Sequence, residues 1–189
     1  QINKINNLLE LFYEQYQKQD KESIFLQSLK EPHTKYSWED TYLNINKLSD
    51  EISKHIKKGD RCLLISENRP EWIISDLSIM LSGGVTVPAY ITYTERDYEY
   101  IVDDCTPAII IISDKTQYEK IKDIIPKKDF IKKIIFFENI ENVNEELNLT
   151  MHNIFKRNNY NKQNFSALKI QRKDMACIIY TSGTQGNPK

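Results

Sequence analysis

Arg61-Cys62-Leu63-Leu64-Ile65, then Asn68-Arg69-Pro70-Glu71-Trp72, then Gly83-Gly84-Val85-Thr86-Val87-Pro88-Ala89-Tyr90, is the stretch that decides the fold. Arg61 to Ile65 is an apolar run of strand length with no polar alternation, the pattern of a buried strand. Asn68 with Glu71 can cap a helix. Pro70 lies in its first turn, where the missing N–H is not needed, and Ile73, Leu77, Met80 and Leu81 recur at helical spacing to form its inner face. Gly83-Gly84 ends that helix and Val85 to Tyr90 is a second apolar strand, with Pro88 marking a sheet margin or a bulge. A buried strand, a covering helix and another buried strand form one repeat of an α/β sheet with mainly parallel pairing.

The same alternation extends in both directions. Upstream, Ile2 to Gln17 reads as a helix with Ile5, Leu8, Leu9, Phe12 and Tyr16 on one face, and Ile24 to Leu29 and Lys35-Tyr36 read as short strands. Ser37 with Asp40 forms a variant capping box for a helix whose stripe runs through Tyr42, Ile45, Leu48, Ile52 and Ile56 and stops before Gly59. Downstream, Thr94 with Asp97 starts a helix to about Asp103, and Ala108 to Ser113 is a strand. Asp114 with Gln117 starts a helix that stops before Pro126, and Ile131 to Phe137 is a strand. From about Asn139 to Lys169 the pattern fades into an Asn- and charge-rich connection with a short helix near Thr150 to Arg157. No internal repeat is evident.

Composition narrows the functional classes. The 189 residues are 40% hydrophobic, with a net charge of −1 and a mean hydropathy of −0.58, enough apolar material for a core and no bias toward nucleic acid. The Lys-rich stretches at 54–58, 127–128 and 132–133 are interleaved with acids or apolar residues and read as solvated faces. No window reaches the ~18 apolar residues of a membrane span, and no leader pattern opens the chain, which begins at Gln1 rather than Met. Cys62, Cys105 and Cys177 lack metal spacing and read as reduced and inert, Cys62 and Cys177 as small hydrophobes in apolar strands. His33, His55 and His152 are scattered and read as ordinary polar histidines.

The chemistry concentrates at the far end. Met175 to Tyr180 reads as a strand covered on both faces, and it empties into Thr181-Ser182-Gly183-Thr184-Gln185-Gly186-Asn187-Pro188-Lys189. Gly183 and Gly186 let the backbone bring its N–H groups close to phosphate oxygens. Thr181, Ser182 and Thr184 add hydroxyl donors and Lys189 a compact ammonium, while Pro188 biases Asn187 toward extended geometry. Each hydrogen bond to a charged oxygen contributes about 1.5–3 kcal/mol net. The spacing of the two glycines excludes the P-loop of GxxxxGK[ST] type. In an open parallel sheet, a ligand loop belongs beyond the carboxyl ends of the strands.

The string from Tyr180 to Lys189 resembles the signature of the AMP-forming adenylating enzymes, the superfamily of acyl-CoA synthetases, luciferase-like enzymes and peptide-synthetase adenylation domains. Gln185 stands where threonine is usual. The resemblance runs upstream from about Tyr36 through Tyr36 to Asp40, Gly59 to Ser66, Val85 to Tyr90 and Thr94 to Asp97, and Asn68-Arg69-Pro70-Glu71-Trp72 resembles the long-chain acyl-CoA synthetase branch. It implies an α/β fold, and it implies that residues 1–189 are an incomplete N-terminal part of the adenylation domain, with the rest of that domain and the C-terminal domain absent.

It further implies an intact ligase that forms an acyl-adenylate from a carboxylate and ATP, releases pyrophosphate, and makes the acyl-CoA thioester. ATP, Mg²⁺ and coenzyme A are the implied co-substrates. Thr181, Ser182, Gly183, Thr184, Gln185, Gly186 and Lys189 are the implied phosphate contacts, with no catalytic residue and no metal ligand within the chain. The implied partners are small molecules, with no nucleic acid; the implied location is cytoplasmic, with peripheral membrane contact left open. Two alternatives stand beside this reading: an adenylating enzyme for another acid or acceptor, such as an aryl-CoA ligase or a peptide-synthetase domain, and a catalytically inactive α/β interaction module.

Overall fold

In the computed structural model, the described residues are 5–141, 143, 148–165, 168 and 170–181. Helix α1 (Leu8–Lys18) leads to a hairpin of β1 (Ile24–Gln27) and β2 (Lys35–Ser37), and then to α2 (Trp38–Ser53). Next come β3 (Arg61–Ile65), α3 (Pro70–Leu81), β4 (Val85–Ala89), α4 (Glu95–Cys105), β5 (Ile109–Ile112) and the short α5 (Lys115–Glu119). Finally come β6 (Lys133–Phe136), β7 (Asn148–Thr150) and α6 (Met151–Phe155). The main sheet has the order β4-β3-β5-β6-β7, and every pair in it is parallel. The hairpin β1-β2 is antiparallel and stands apart from that sheet.

Both faces of the sheet are covered, as the apolar strands require. Cys62, Leu64, Ile109, Ile111 and Ile135 point into one cluster, beneath α1, α2, α3 and α6. Leu63, Ile65, Ile110, Ile112, Ile134 and Phe136 point into the other, beneath α4 and the segment around Ile121 to Ile131. The period-two alternation therefore divides β3, β5 and β6 between two cores, which is why these strands show no polar alternation in the sequence.

Local signals placed most boundaries. Ser37 and Asp40 close the expected capping box of α2, and Thr94 and Asp97 that of α4. At α3 the expectation needs correction: its cap position is Arg69, without a side-chain capping bond, and Pro70 opens the helix. Ile73 is 39% exposed, and Ile74 is the residue buried at that turn. The first helix is also shorter than expected. Asn7 caps it by accepting from the Glu10 N–H, and Leu8 is half-exposed. Beyond Asn139 the sequence pattern missed β7 altogether, because Asn148-Leu149-Thr150 is only half-buried and carries no apolar run.

The terminal strand departs most from its reading. Among the described residues this segment forms one parallel bridge, Thr86 with Cys177, and Met175, Ala176, Cys177 and Ile179 are exposed. Thr86 N–H donates to Ala176 O at 3.0 Å and Ile178 N–H to Thr86 O at 2.9 Å. In a parallel ladder the next donor toward this segment is two residues on, at position 88. That residue is Pro88, which has no N–H, so the ladder ends there. Pro88 thus marks a margin, as expected, by breaking the pairing on its outer side while β4 stays paired with β3 on the other.

Candidate functional site

Register fixes where the expected loop begins. Cys177 pairs with Thr86, Thr86 with Cys62, and Cys62 with Ile109, all in parallel. Three residues further on, the strands end together at Ala89, Ile65, Ile112 and Phe136, with Tyr180 at the same level. Thr181 leaves the sheet at its carboxyl end and is exposed. The other expected phosphate contacts, Ser182, Gly183, Thr184, Gln185, Gly186 and Lys189, lie outside the described residues.

Tyr180 is the one apolar-facing residue at this exit that is buried, at 5% exposure. Its ring packs edge-on to Tyr100 at 6.5 Å, and its hydroxyl donates to an oxygen of Asp104, one helical turn further along α4. Its carbonyl accepts from the Tyr93 hydroxyl at 3.3 Å. Burial first, and the neighbouring Asp104 carboxylate second, raise the Tyr180 phenol above its ordinary range, so it remains a donor. The segment carrying Tyr93 is itself secured, because Lys120 Nζ donates to the carbonyls of Ile91 at 2.6 Å and Tyr93 at 3.2 Å, and the Tyr98 hydroxyl donates to Tyr90 O at 2.8 Å.

Strand order reverses between β3 and β5, the place where a crevice forms in such sheets. Ser66 and Glu67 follow β3, and Ser113 and Asp114 follow β5. Asp114 accepts from Gln117 N–H at the start of α5, and the Ser113 hydroxyl is buried without a partner. The loop exit at Thr181 stands on the far side of β4 and β3 from this point.

At the same end, Arg69 joins several elements. Its Nε donates to Glu71 at 2.8 Å, and its Nη1 approaches Glu138 at 3.1 Å and Glu67 at 3.4 Å. The guanidinium lies 5.2 Å from the Phe137 ring centroid, and Tyr36 donates to Glu71 at 2.9 Å. Burial opposes charge on Arg69, but the two glutamates Glu71 and Glu138 outweigh it and raise the guanidinium further. Asn68 to Trp72 therefore acts as framework, tying the ends of β3 and β6 to β2 through one cation. Beside it, a groove of about 600 Å³ runs between residues 28–34 and the start of α3, walled by Leu29, Pro32, Trp72 and Ile73.

Among the described residues, no cluster of His, Cys, Asp and Glu could hold a metal ion. Cys62 and Cys105 are buried and Cys177 is exposed, all three as free thiols. Burial pushes the Cys105 thiol up to about 12 and raises Cys62 further still, so both are inert as expected, whereas Cys177 is not the buried hydrophobe that its apolar run suggested. No helix among the described residues is long and apolar enough to cross a membrane.

Residues 12–189 match the family described as AMP-binding enzyme, and the chain belongs to that family. It is 24% identical over 184 residues to long-chain-fatty-acid–CoA ligase ACSBG1 of Rattus norvegicus, covering 95% of this chain and 26% of the relative. It is 27% identical over 166 residues to long chain acyl-CoA synthetase 3 of Arabidopsis thaliana, covering 82% of this chain and 25% of the relative. The fold matches that of the anthranilate CoA ligase AuaEII, solved with anthranoyl-AMP, with a TM-score of 0.81 and 19% identity over 97% of this chain and 34% of that one. The chain thus spans about a quarter of these curated relatives and a third of the solved structure.

Proposed function

We propose that this chain is the part of an ATP-dependent acyl-CoA synthetase that carries the loop for the ATP phosphates. The observation that carries the reading is the exit of Thr181 beyond the carboxyl ends of the parallel strands, immediately before Ser182-Gly183-Thr184-Gln185-Gly186-Asn187-Pro188-Lys189. Membership of the AMP-binding family supports it, as do relatives named for long-chain fatty acids.

In this reading a carboxylate attacks the α-phosphate of ATP, pyrophosphate leaves, and the acyl group passes to coenzyme A. Negative charge grows on the departing pyrophosphate, so the chain's task is to position and neutralise it. Thr181, Ser182 and Thr184 would donate hydroxyl hydrogen bonds, Gly183 and Gly186 would open backbone N–H groups to the oxygens, and Lys189 would supply the cation. Gln185 would add an amide. ATP, the Mg²⁺ that accompanies it, and coenzyme A are the co-substrates this reading requires. None of the loop residues acts as a general base.

The test uses the protein made from the complete reading frame that contains these residues. ATP–pyrophosphate exchange should depend on a long-chain fatty acid, and Lys189→Ala should lower it on the order of a hundredfold. Exchange that is independent of any carboxylate, or unaffected by Lys189→Ala, overturns the assignment. A second reading, an aryl-CoA ligase, draws on the likeness to AuaEII. Exchange driven by benzoate-type acids and not by fatty acids would select it.

A further inference from the structure

We propose that Tyr180 and Asp104, with Tyr93, form a side-chain clamp that sets the position of the phosphate loop where the sheet's own hydrogen bonding has stopped. The inference rests on the loop reading above for its effect on ATP, and on geometry alone for the clamp itself.

The need for a clamp comes from Pro88. The segment that leads into the loop is fastened to β4 by two backbone hydrogen bonds at Thr86, and Pro88 withholds the donor that would fasten it again at the level of Ile178 and Tyr180. A loop holding a polyanion needs a fixed origin, since each of its donors must be kept within hydrogen-bond reach of a phosphate oxygen for binding. Three side-chain contacts take over at that level. The Tyr180 hydroxyl reaches Asp104, its ring rests against Tyr100 one turn earlier on α4, and its carbonyl accepts from Tyr93. One residue is thus held at its backbone and at the far end of its side chain, directly before Thr181.

The clamp couples the loop to α4, a helix with its own closed capping box and a buried face of Tyr98, Ile101, Val102 and Cys105. Asp104 lies on the exposed side of that helix, so its carboxylate is available as an acceptor without a core penalty. Tyr180 and Asp104 are positioning residues: they act on ATP through the loop.

The variants are Tyr180→Phe, which keeps the ring and removes the donor, Asp104→Ala, which removes the acceptor, and Asp104→Asn, which restores one. In the protein from the complete reading frame, Tyr180→Phe and Asp104→Ala should each raise the KM for ATP about tenfold, the size expected for losing one hydrogen bond to a charged acceptor. In both, kcat should change less than about twofold, Asp104→Asn should stay near wild type, and the double variant should be no worse than either single one. Amide hydrogen exchange of the peptide over 176–181 should accelerate in Tyr180→Phe and Asp104→Ala and not in Asp104→Asn.

Unchanged exchange at 176–181 in Tyr180→Phe and Asp104→Ala overturns the clamp whether or not the protein uses ATP. So does a KM for ATP that stays at the wild-type value in both variants. If the wild-type protein shows no ATP-dependent activity, the phosphate-loop reading falls, and hydrogen exchange alone then decides for or against the clamp.

Discussion

Lowering the pH should release one particular clip in this fold, and Glu51 is its centre. This residue, near the end of α2, is 5% exposed. It accepts from Arg157, from His55 Nε2 at 2.8 Å and from Lys54 Nζ at 3.2 Å. Burial works against its charge, yet the hydrogen bonds from Arg157, His55 and Lys54 outweigh burial and bring its carboxyl from 4.5 down to about 2.

A depressed folded-state value means the ionised form is favoured by folding. The contribution is fully present above about 4.5 and is lost as the pH falls through about 2. The whole shift corresponds to about 3 kcal/mol. Because Lys54 is 50% and Arg157 31% exposed, solvent screens the pair, and about 1–2 kcal/mol is the better figure.

Urea unfolding of wild type and Glu51→Gln, followed across this pH range, isolates the effect, because every other carboxylate cancels in the difference. Wild type should be more stable at neutral pH, and the two curves should converge near pH 2. A difference that stays constant across the range would refute the assignment of the stabilisation to the Glu51 charge.

Four further outcomes follow from single contacts. Gly84→Ala should destabilise by about 1–3 kcal/mol in thermal unfolding, since its Cβ would stand 3.0 Å from Ile79 Cγ2 and 3.3 Å from Ile79 O, neighbours at the end of α3 that cannot swing aside as the Ile56 side chain can. Thr94→Ala, which removes the cap of α4, should cost about 1 kcal/mol by the same measurement, and an unchanged midpoint would show that the box contributes nothing. A thiol reagent under native conditions should label Cys177 quickly and leave Cys62 and Cys105 unmodified until the protein unfolds, as mass spectrometry of the labelled peptides would show. Pro88→Ala should give residue 88 an amide that is protected from exchange by Ile178 O, and should slow exchange at the neighbouring amides; an amide at position 88 that exchanges as fast as in an open strand would refute the account of the broken ladder.

The parts of this fold that were legible in the sequence are those where one short signal decides one element. Ser37-Asp40 and Thr94-Asp97 each fix a helix start, and the isoleucine-rich run at 109–112 can serve only as a strand between two cores. The misreadings have a common physical source, which is that burial is a property of neighbours. Met175 to Ile179 has the composition of a covered strand, and Met175, Ala176, Cys177 and Ile179 nevertheless lie exposed on the outer side of β4, with only Ile178 partly buried. β7 is the reverse case, a strand whose polar composition hides it because it needs only β6 for pairing. At the site, the point where Thr181 leaves the sheet was legible. Asp104 and Tyr93 were not, because nothing in their own surroundings marks residues whose partner lies far along the chain. Tyr180 gave the available hint, a phenol among aliphatics where a buried hydroxyl needs an acceptor.

The single bridge between Thr86 and Cys177 also bears on the order in which the molecule assembles. β3, β4 and β5 are each joined to the next by one helix, so their pairing closes short segments of chain at modest entropic cost. Cys177 must instead find a partner that precedes it by nearly half the sequence, and it gains only two backbone hydrogen bonds on arrival. Topology of that kind makes the contact slow to form and quick to open. The sheet is therefore expected to be complete before its loop-bearing edge docks. In pulse-labelled refolding, protection at Ile110 and Leu63 should precede protection at Ile178, and simultaneous protection would refute this order.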